Sequence, residues 1–222
     1  MSLFESLNQF DTNIFMALNG AHSPFFDHFF VFFTSKEVWF PLYLLLVWLI
    51  IRKYKMQALW VLLVLIIGVV ISDQLSGLIK DLVGRMRPSH ELSLAGLVHV
   101  PGEKGGSFGF YSGHASNSMF LAVIVGMLAK RKRIWALMLL WSLLTCYSRI
   151  YVGVHYFFDV LVGAIMGALL GWGLYRLLAV FDSHFQRKRI AMAGRWKAKQ
   201  YYPLQIALIF ITSTLLIVAS LL

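Results

Sequence analysis

Apolar positions run almost unbroken through six stretches of this chain, at 36–52, 57–84, 112–129, 134–150, 156–181 and 203–222. A helix needs roughly 20 mostly apolar residues to cross the hydrocarbon of a bilayer, so each stretch is read as a membrane-spanning helix. The pattern predicts an all-α integral membrane protein, a bundle of six transmembrane helices. In the second stretch the apolar run from Gln57 reaches Ile79 and continues as a helix toward Gly84, which brings Lys80 out at the opposite interface. The fifth carries Gly163, Gly167 and Gly171 at four-residue intervals, a stripe of small residues that lets a neighbouring helix come close. The sixth is expected to begin at Pro203, after a basic linker from Asp182 to Gln200.

Ahead of these spans the pattern changes. Leu3, Phe4, Leu7, Phe10, Ile14, Phe15 and Leu18 recur at helical spacing with Glu5, Asn8 and Asp11 between them, the signature of an amphipathic helix at the membrane surface. Residues 24–33 are aromatic but too short to span, and Asp27 and His28 interrupt them, so they are also placed at the interface. The chain therefore divides into an interfacial amphipathic segment, 1–35, and a six-helix domain, 36–222. Its N-terminus lacks the basic region and short apolar core of a cleavable signal, so the first hydrophobic segments are expected to persist.

Composition agrees with a membrane reading: 59% of residues are hydrophobic, the mean hydropathy is +0.72, and only 14% are charged. The net charge of +10 would suggest nucleic acid in a soluble protein, but here topology accounts for it and no nucleic-acid partner is expected. With connections assigned to alternate sides, one side receives Arg52, Lys53, Lys55, the run 130–133, Arg176, Arg187, Lys188, Arg189, Arg195, Lys197 and Lys199, which is 14 of the 20 Lys and Arg residues. Positive charge marks the cytoplasmic side. The opposite side, the periplasm of a bacterium with this protein in its inner membrane, receives the N-terminal segment, the 85–111 loop and the turn from Ser148 to Asp159. The lone Cys146 leaves disulfides no role within the chain, and nothing in the sequence sets an oligomeric state.

The outward face collects chemistry from three segments. His155 and Asp159 are four apart, so on a helix starting near His155 the carboxylate can accept from one imidazole nitrogen and leave the other to attack. Arg149, beyond a helix break at Gly153, brings a guanidinium fork suited to phosphate. Lys80, Arg85 and Arg87 cluster at the end of the second span, on the side that otherwise avoids positive charge. Ser112, Gly113 and His114 open the third span, where a hydroxyl, a close backbone approach and unpaired helical N–H groups make an anion site. Each feature has a plainer alternative: a packed histidine, snorkelling cations, an ordinary helix cap. Their joint delivery to one face favours a site. Asp73 is an intramembrane carboxylate, read as a packing or hydrogen-bonding group, and the outer-loop residues His90, Glu91, His99, Glu103 and Lys104 are read as solvated.

In this order, Lys-x6-Arg-Pro (Lys80 to Pro88), Ser-Gly-His (Ser112 to His114) and Ser-Arg-x5-His-x3-Asp (Ser148 to Asp159) resemble the tripartite signature of the type 2 phosphatidic acid phosphatase superfamily. One departure is Tyr111, where that family usually has proline. The resemblance implies that His155 attacks phosphorus and becomes a phosphohistidine, that Asp159 orients it, and that His114 serves as acid and then base. It further implies that Lys80, Arg87, Ser112, Gly113 and Arg149 hold the phosphate oxygens, with no metal and no cofactor. The expected substrate is a membrane lipid phosphate or diphosphate: undecaprenyl diphosphate, a lipid A phosphate, phosphatidylglycerol phosphate or phosphatidic acid, the first two favoured by the short loops of an envelope enzyme. A non-catalytic anionic-lipid binder or transporter is the alternative. Vanadium haloperoxidase chemistry shares the anion cradle but occurs in soluble proteins.

Overall fold

The computed structural model describes residues 2–184 and 196–222, and in these the regular elements are helices, with one isolated bridge between Met86 and Phe108 in the long loop that joins two of them. The helices are α1 (Leu3–Asn19), α2 (Pro24–Thr34), α3 (Phe40–Tyr54), α4 (Ala58–Val83), α5 (Gly113–Ala129), α6 (Lys132–Tyr151), α7 (Phe157–His184) and α8 (Ala198–Leu221). Among the described residues, four stretches are long and apolar enough to cross a membrane: Glu37–Val83, Lys132–Tyr151, Phe157–Phe181 and Gln200–Leu221. The first holds both α3 and α4, separated at Lys55, whose φ of 51° breaks the helix. Gly113–Ala129 is apolar but shorter. Ile66, Leu169 and Phe210 are among many large apolar side chains left exposed along α4, α7 and α8, which is the surface of a protein solvated by lipid. This is an integral membrane protein.

Centrally placed α5 is flanked by α4, α6 and α7. Its closest approach is to α7, and the glycine stripe is the cause. A Cβ on Gly163 would lie 2.5 Å from the carbonyl oxygen of Ser112, on Gly167 2.1 Å from that of Ser116, and on Gly171 2.9 Å from that of Phe120. Three glycines on one face thus meet three carbonyls on the facing helix, also four residues apart. Polar pairs add side-chain contacts: Ser72 and Ser116 share a hydrogen bond of 2.7 Å, Ser118 and Ser142 one of 3.0 Å, and Asn117 donates to Asp73 at 2.7 Å. Asp73 therefore has the hydrogen-bonding role expected of it.

The N-terminal helices depart from a simple surface arrangement. In α1, capped by the reciprocal bonds of Ser2 and Glu5, the buried positions are Asp11, Phe15 and Asn19, while Leu3, Phe4, Leu7 and Phe10 are exposed. Asp11 and Asn19 point into the protein because partners await them there, whereas the apolar side chains of the first turns point outward. α2 packs on α6 and α8, with Phe29, Phe30 and Phe33 buried among Trp39, Trp141 and Tyr151, so these aromatics are core rather than surface.

The last helix begins at Ala198, five residues before Pro203, so the expectation that proline opens it is corrected. Gln200 explains the earlier start: its side chain accepts from the Lys197 N–H at 2.8 Å. Just ahead, Trp196 is buried and fastened by Ala129, which accepts from its N–H at 3.1 Å, and by Arg131, whose Nε donates to its carbonyl at 2.7 Å. Most of the predicted basic linker, including Arg187, Lys188, Arg189 and Arg195, lies outside the described residues.

Candidate active site

The site forms where the C-terminal ends of α4 and α6 meet the N-terminal ends of α5 and α7. Between α6 and α7 the chain turns at Gly153, with a φ of 75°, a conformation glycine alone enters without cost. A Cβ there would also meet the His99 carbonyl at 2.6 Å, so the outer loop lies directly against this turn. The turn delivers His155, 1% exposed, and the first turn of α7 delivers Asp159, fully buried.

Their relationship differs from the expected hydrogen bond. His155 Nδ1 stands 3.5 Å from Asp159 Oδ2, beyond the usual N–H···O range. The carboxylate is held by others: Arg85 Nη1 donates to Oδ1 at 2.8 Å and the Tyr156 N–H to Oδ2 at 3.0 Å. Gly109 closes the same edge, since a Cβ on it would lie 3.0 Å from Asp159 Oδ2 and 3.6 Å from His155 Nδ1. Burial, and then the positive charges of Arg149, Arg87 and Lys80, hold the His155 imidazole well below its ordinary value of 6.5. Both effects favour the neutral ring, which has a lone pair available.

The predicted cations converge. Lys80 Nζ donates to Ser76 Oγ at 2.8 Å, and Ser76 Oγ donates to the Tyr111 carbonyl at 3.1 Å, which ties the end of α4 to the entry of α5. Arg87 is braced by the 105–109 segment of the loop: its Nε donates to the Phe108 carbonyl at 3.0 Å and its N–H to that of Ser107 at 2.9 Å. Arg149 Nη1 donates to Thr34 Oγ1 at the end of α2, and its Nε is buried without a protein partner. Ser112 caps α5, accepting from the Ala115 N–H at 3.4 Å, while its own N–H donates to the Asp159 carbonyl at 2.9 Å. Gly113 follows, close against Ser76, since a Cβ on it would lie 3.1 Å from Ser76 Oγ. His114 is half-buried, and the charges of Arg149, Lys36 and Lys80 all reach it. All eight residues singled out from the sequence thus sit at one end of the bundle.

Two members were missed or undervalued. Arg85 was only a third cation near α4, yet it bridges Asp159 to Asp11, meeting Asp11 Oδ2 at 2.8 Å with its Nη2. It also lies over the Tyr156 ring, 4.1 Å from the centroid, and donates to Asn8 Oδ1 at 3.0 Å. Asp11 is fully buried and accepts from the Phe158 N–H at 2.9 Å. Burial raises its carboxyl above the ordinary range, against the lowering effect of Phe158 and Arg85. A carboxylate facing inward among apolar residues of α1 was the available signal. The outer-loop His99 was also misjudged: it is not simply solvated, since its ring stacks on His22 and its Nε2 lies 2.7 Å from Asp27 Oδ1.

The profile of the PAP2 superfamily matches residues 57–182, which contain every one of the eight residues. The chain is similar to the lipid A 4'-phosphatase of Bacteroides thetaiotaomicron, 36% identical over 177 residues that make up 78% of this chain and 79% of that protein. It is 34% identical to the lipid A 4'-phosphatase of Porphyromonas gingivalis over 179 residues, 78% of this chain and 75% of that protein. Among solved structures, the crystal structure of Aquifex aeolicus LpxE matches with a TM-score of 0.61 at 28% identity, over 74% of this chain and 94% of that one.

Proposed function

The chain belongs to the PAP2 superfamily, and from that membership and the geometry we propose that it is a membrane lipid phosphatase that works through a phosphohistidine at His155. The observation that carries the proposal is a buried imidazole at the end of a helix bundle, close enough to Arg149, Arg87 and Lys80 to feel the charge of all three. In the first step His155 Nε2 attacks phosphorus in line, the P–N bond forms, and the bond to the lipid oxygen breaks. His114 gives its proton to that oxygen. It then takes a proton from water as the water attacks the phosphohistidine, which releases phosphate and restores both rings.

Charge on the equatorial oxygens persists through a dissociative transition state, and Lys80, Arg87 and Arg149 are set to meet it together with Ser112 and the Gly113 N–H. A bound phosphate supplies the acceptor that Arg149 Nε otherwise lacks. Asp159 acts on His155 through the shape of the pocket rather than through a short hydrogen bond, and Arg85 holds its carboxylate in place. Fixed cations meet the substrate charge, so the reaction is proposed to need no metal ion.

The substrate proposed is a phosphate monoester on a lipid A-type glycolipid, because relatives at 36% and 34% identity are lipid A 4'-phosphatases. Its acyl chains stay in the bilayer while the phosphate reaches the helix ends. In this reading α3 to α8 make six crossings, residues 1–35 lie along the outer interface, and the site opens to the periplasm of a bacterial inner membrane. Phosphate release from purified lipid A, undecaprenyl diphosphate, phosphatidylglycerol phosphate and phosphatidic acid, with EDTA present, tests it. Lipid A should be preferred and vanadate should inhibit. Turnover lost in EDTA and restored by Mg²⁺ would refute the metal-free mechanism, and preference for another lipid would refute the substrate.

A further inference from the structure

Away from the phosphate cradle, three potential metal ligands from separate segments meet at the outer face. His22 lies in the connection between α1 and α2, Asp27 in the first turn of α2, and His99 in the loop between α4 and α5. One ligand atom from each lies within 4.8 Å of the others. The rings of His22 and His99 are parallel, 3.7 Å between centroids with an interplanar angle of 3°, and His99 Nε2 stands 2.7 Å from Asp27 Oδ1.

We propose that His22, Asp27 and His99 bind a divalent transition-metal ion, Zn²⁺ above all, which fastens the α1–α2 hairpin to the outer loop. Two imidazoles and a carboxylate are a donor set that suits zinc and leaves a fourth position for water. The ion takes the place of the proton shared between His99 Nε2 and Asp27 Oδ1. Donors on one tetrahedral zinc are about 3.3–3.5 Å apart, given bonds of about 2.1 Å. His22 is exposed, so rotation of its side chain closes the remaining distance.

What separates this cluster from a chance surface grouping is its support. Asn19 grips the backbone of His99 at both polar groups, accepting from its N–H at 2.8 Å and donating to its carbonyl at 2.9 Å. The same amide donates to the Tyr151 carbonyl at 2.8 Å, and the Tyr151 hydroxyl donates to Asp27 Oδ1 at 2.7 Å. The Asp27 carboxylate and the backbone of His99 are thus held in place by hydrogen bonds to neighbouring residues. The His99 carbonyl lies against Gly153 in the turn that presents His155, so the ion would brace the wall of the active site without touching phosphate.

Zn²⁺ alone is the probe. The full chain is purified in detergent with any histidine tag removed, and zinc uptake is measured by competition with a chelating dye alongside the unfolding temperature. One equivalent is expected, with a higher unfolding temperature when zinc is present. His22→Ala changes an exposed side chain and Asp27→Asn keeps an acceptor for Tyr151; each should weaken zinc by at least about 100-fold and remove the thermal shift. His90→Ala, elsewhere in the same loop, should change neither. Failure of the wild-type chain to take up stoichiometric zinc would overturn the proposal, as would equal uptake by His22→Ala and Asp27→Asn. The readout is metal content and stability, so it stands apart from the phosphatase assay.

Discussion

Asp11, on the first helix, is ion-paired with Arg85 at 2.8 Å, and through that guanidinium it is coupled to Asp159, the carboxylate beside His155. A residue outside the PAP2 match thus helps to set the geometry of a residue inside it. Asp11→Asn keeps an acceptor for the Phe158 N–H but removes the charge. It is expected to lower kcat roughly 10- to 100-fold with little change in KM, because Asp11 positions Arg85 and Asp159 rather than binding substrate. Arg85→Ala should cost at least as much, and the double variant little more than Arg85→Ala alone. Equal rises in KM, or fully additive losses, would rule out this coupling.

The two histidines should separate under trapping with radiolabelled lipid phosphate. His155→Ala should be inactive and form no phosphoenzyme. His114→Ala should slow turnover by about 10²–10⁴-fold, less with a p-nitrophenolate leaving group, and accumulate an acid-labile, base-stable phosphoenzyme. Label retained by His155→Ala would remove it as the nucleophile.

The His155 imidazole titrates below its ordinary 6.5 because its charged form is buried among cations. The sign is definite: a lowered value keeps the ring neutral, and so nucleophilic, to more acidic pH. Histidine-labelled NMR of the substrate-free protein, assigned with His155→Asn, should show this ring neutral at pH 6.5. A midpoint at 6.5 or above would contradict the described environment.

Helix packing makes two glycines of α7 respond differently to the same change. A Cβ at Gly167 would fall 2.1 Å from the Ser116 carbonyl, whereas at Gly173 nothing lies within 4 Å. Gly167→Ala should destabilise the protein by about 1–3 kcal/mol or prevent folding, and Gly173→Ala should be tolerated. Comparable unfolding temperatures for the two variants would show that α5 and α7 are not in such close contact.

Orientation can be read in whole cells. In a Cys146→Ser background, Lys104→Cys in the outer loop should react with a membrane-impermeant thiol reagent, and Lys132→Cys at the start of α6 should not. Both positions are exposed, so access to one side of the membrane decides the result. The reverse pattern would place the phosphatase site in the cytoplasm.

Much of this was legible along the chain because its determinants are local. Continuous apolar runs located the helices, Gly153 marked the break before His155, and the glycine stripe foretold the close approach of α7. The eight site residues fall at helix ends, where short motifs have fixed geometric meaning. The start of α8 was misplaced because Pro203 was read as a boundary, while the side chain of Gln200 completes a turn before it.

Sequence by itself determined the class of protein and the helix order, since composition and periodicity carry those directly, and the groups expected to meet a phosphate came from the resemblance of three short motifs to a known signature. Only the tertiary structure decided which partner each group has. Asp159 is paired with Arg85 rather than hydrogen-bonded to the histidine one turn before it, and Asp11 and His99 are structural partners rather than surface decoration. The physical reason is that a buried charge or polar group takes whichever partner the fold brings within about 3 Å, and that partner comes from a distant segment whose approach no local pattern encodes.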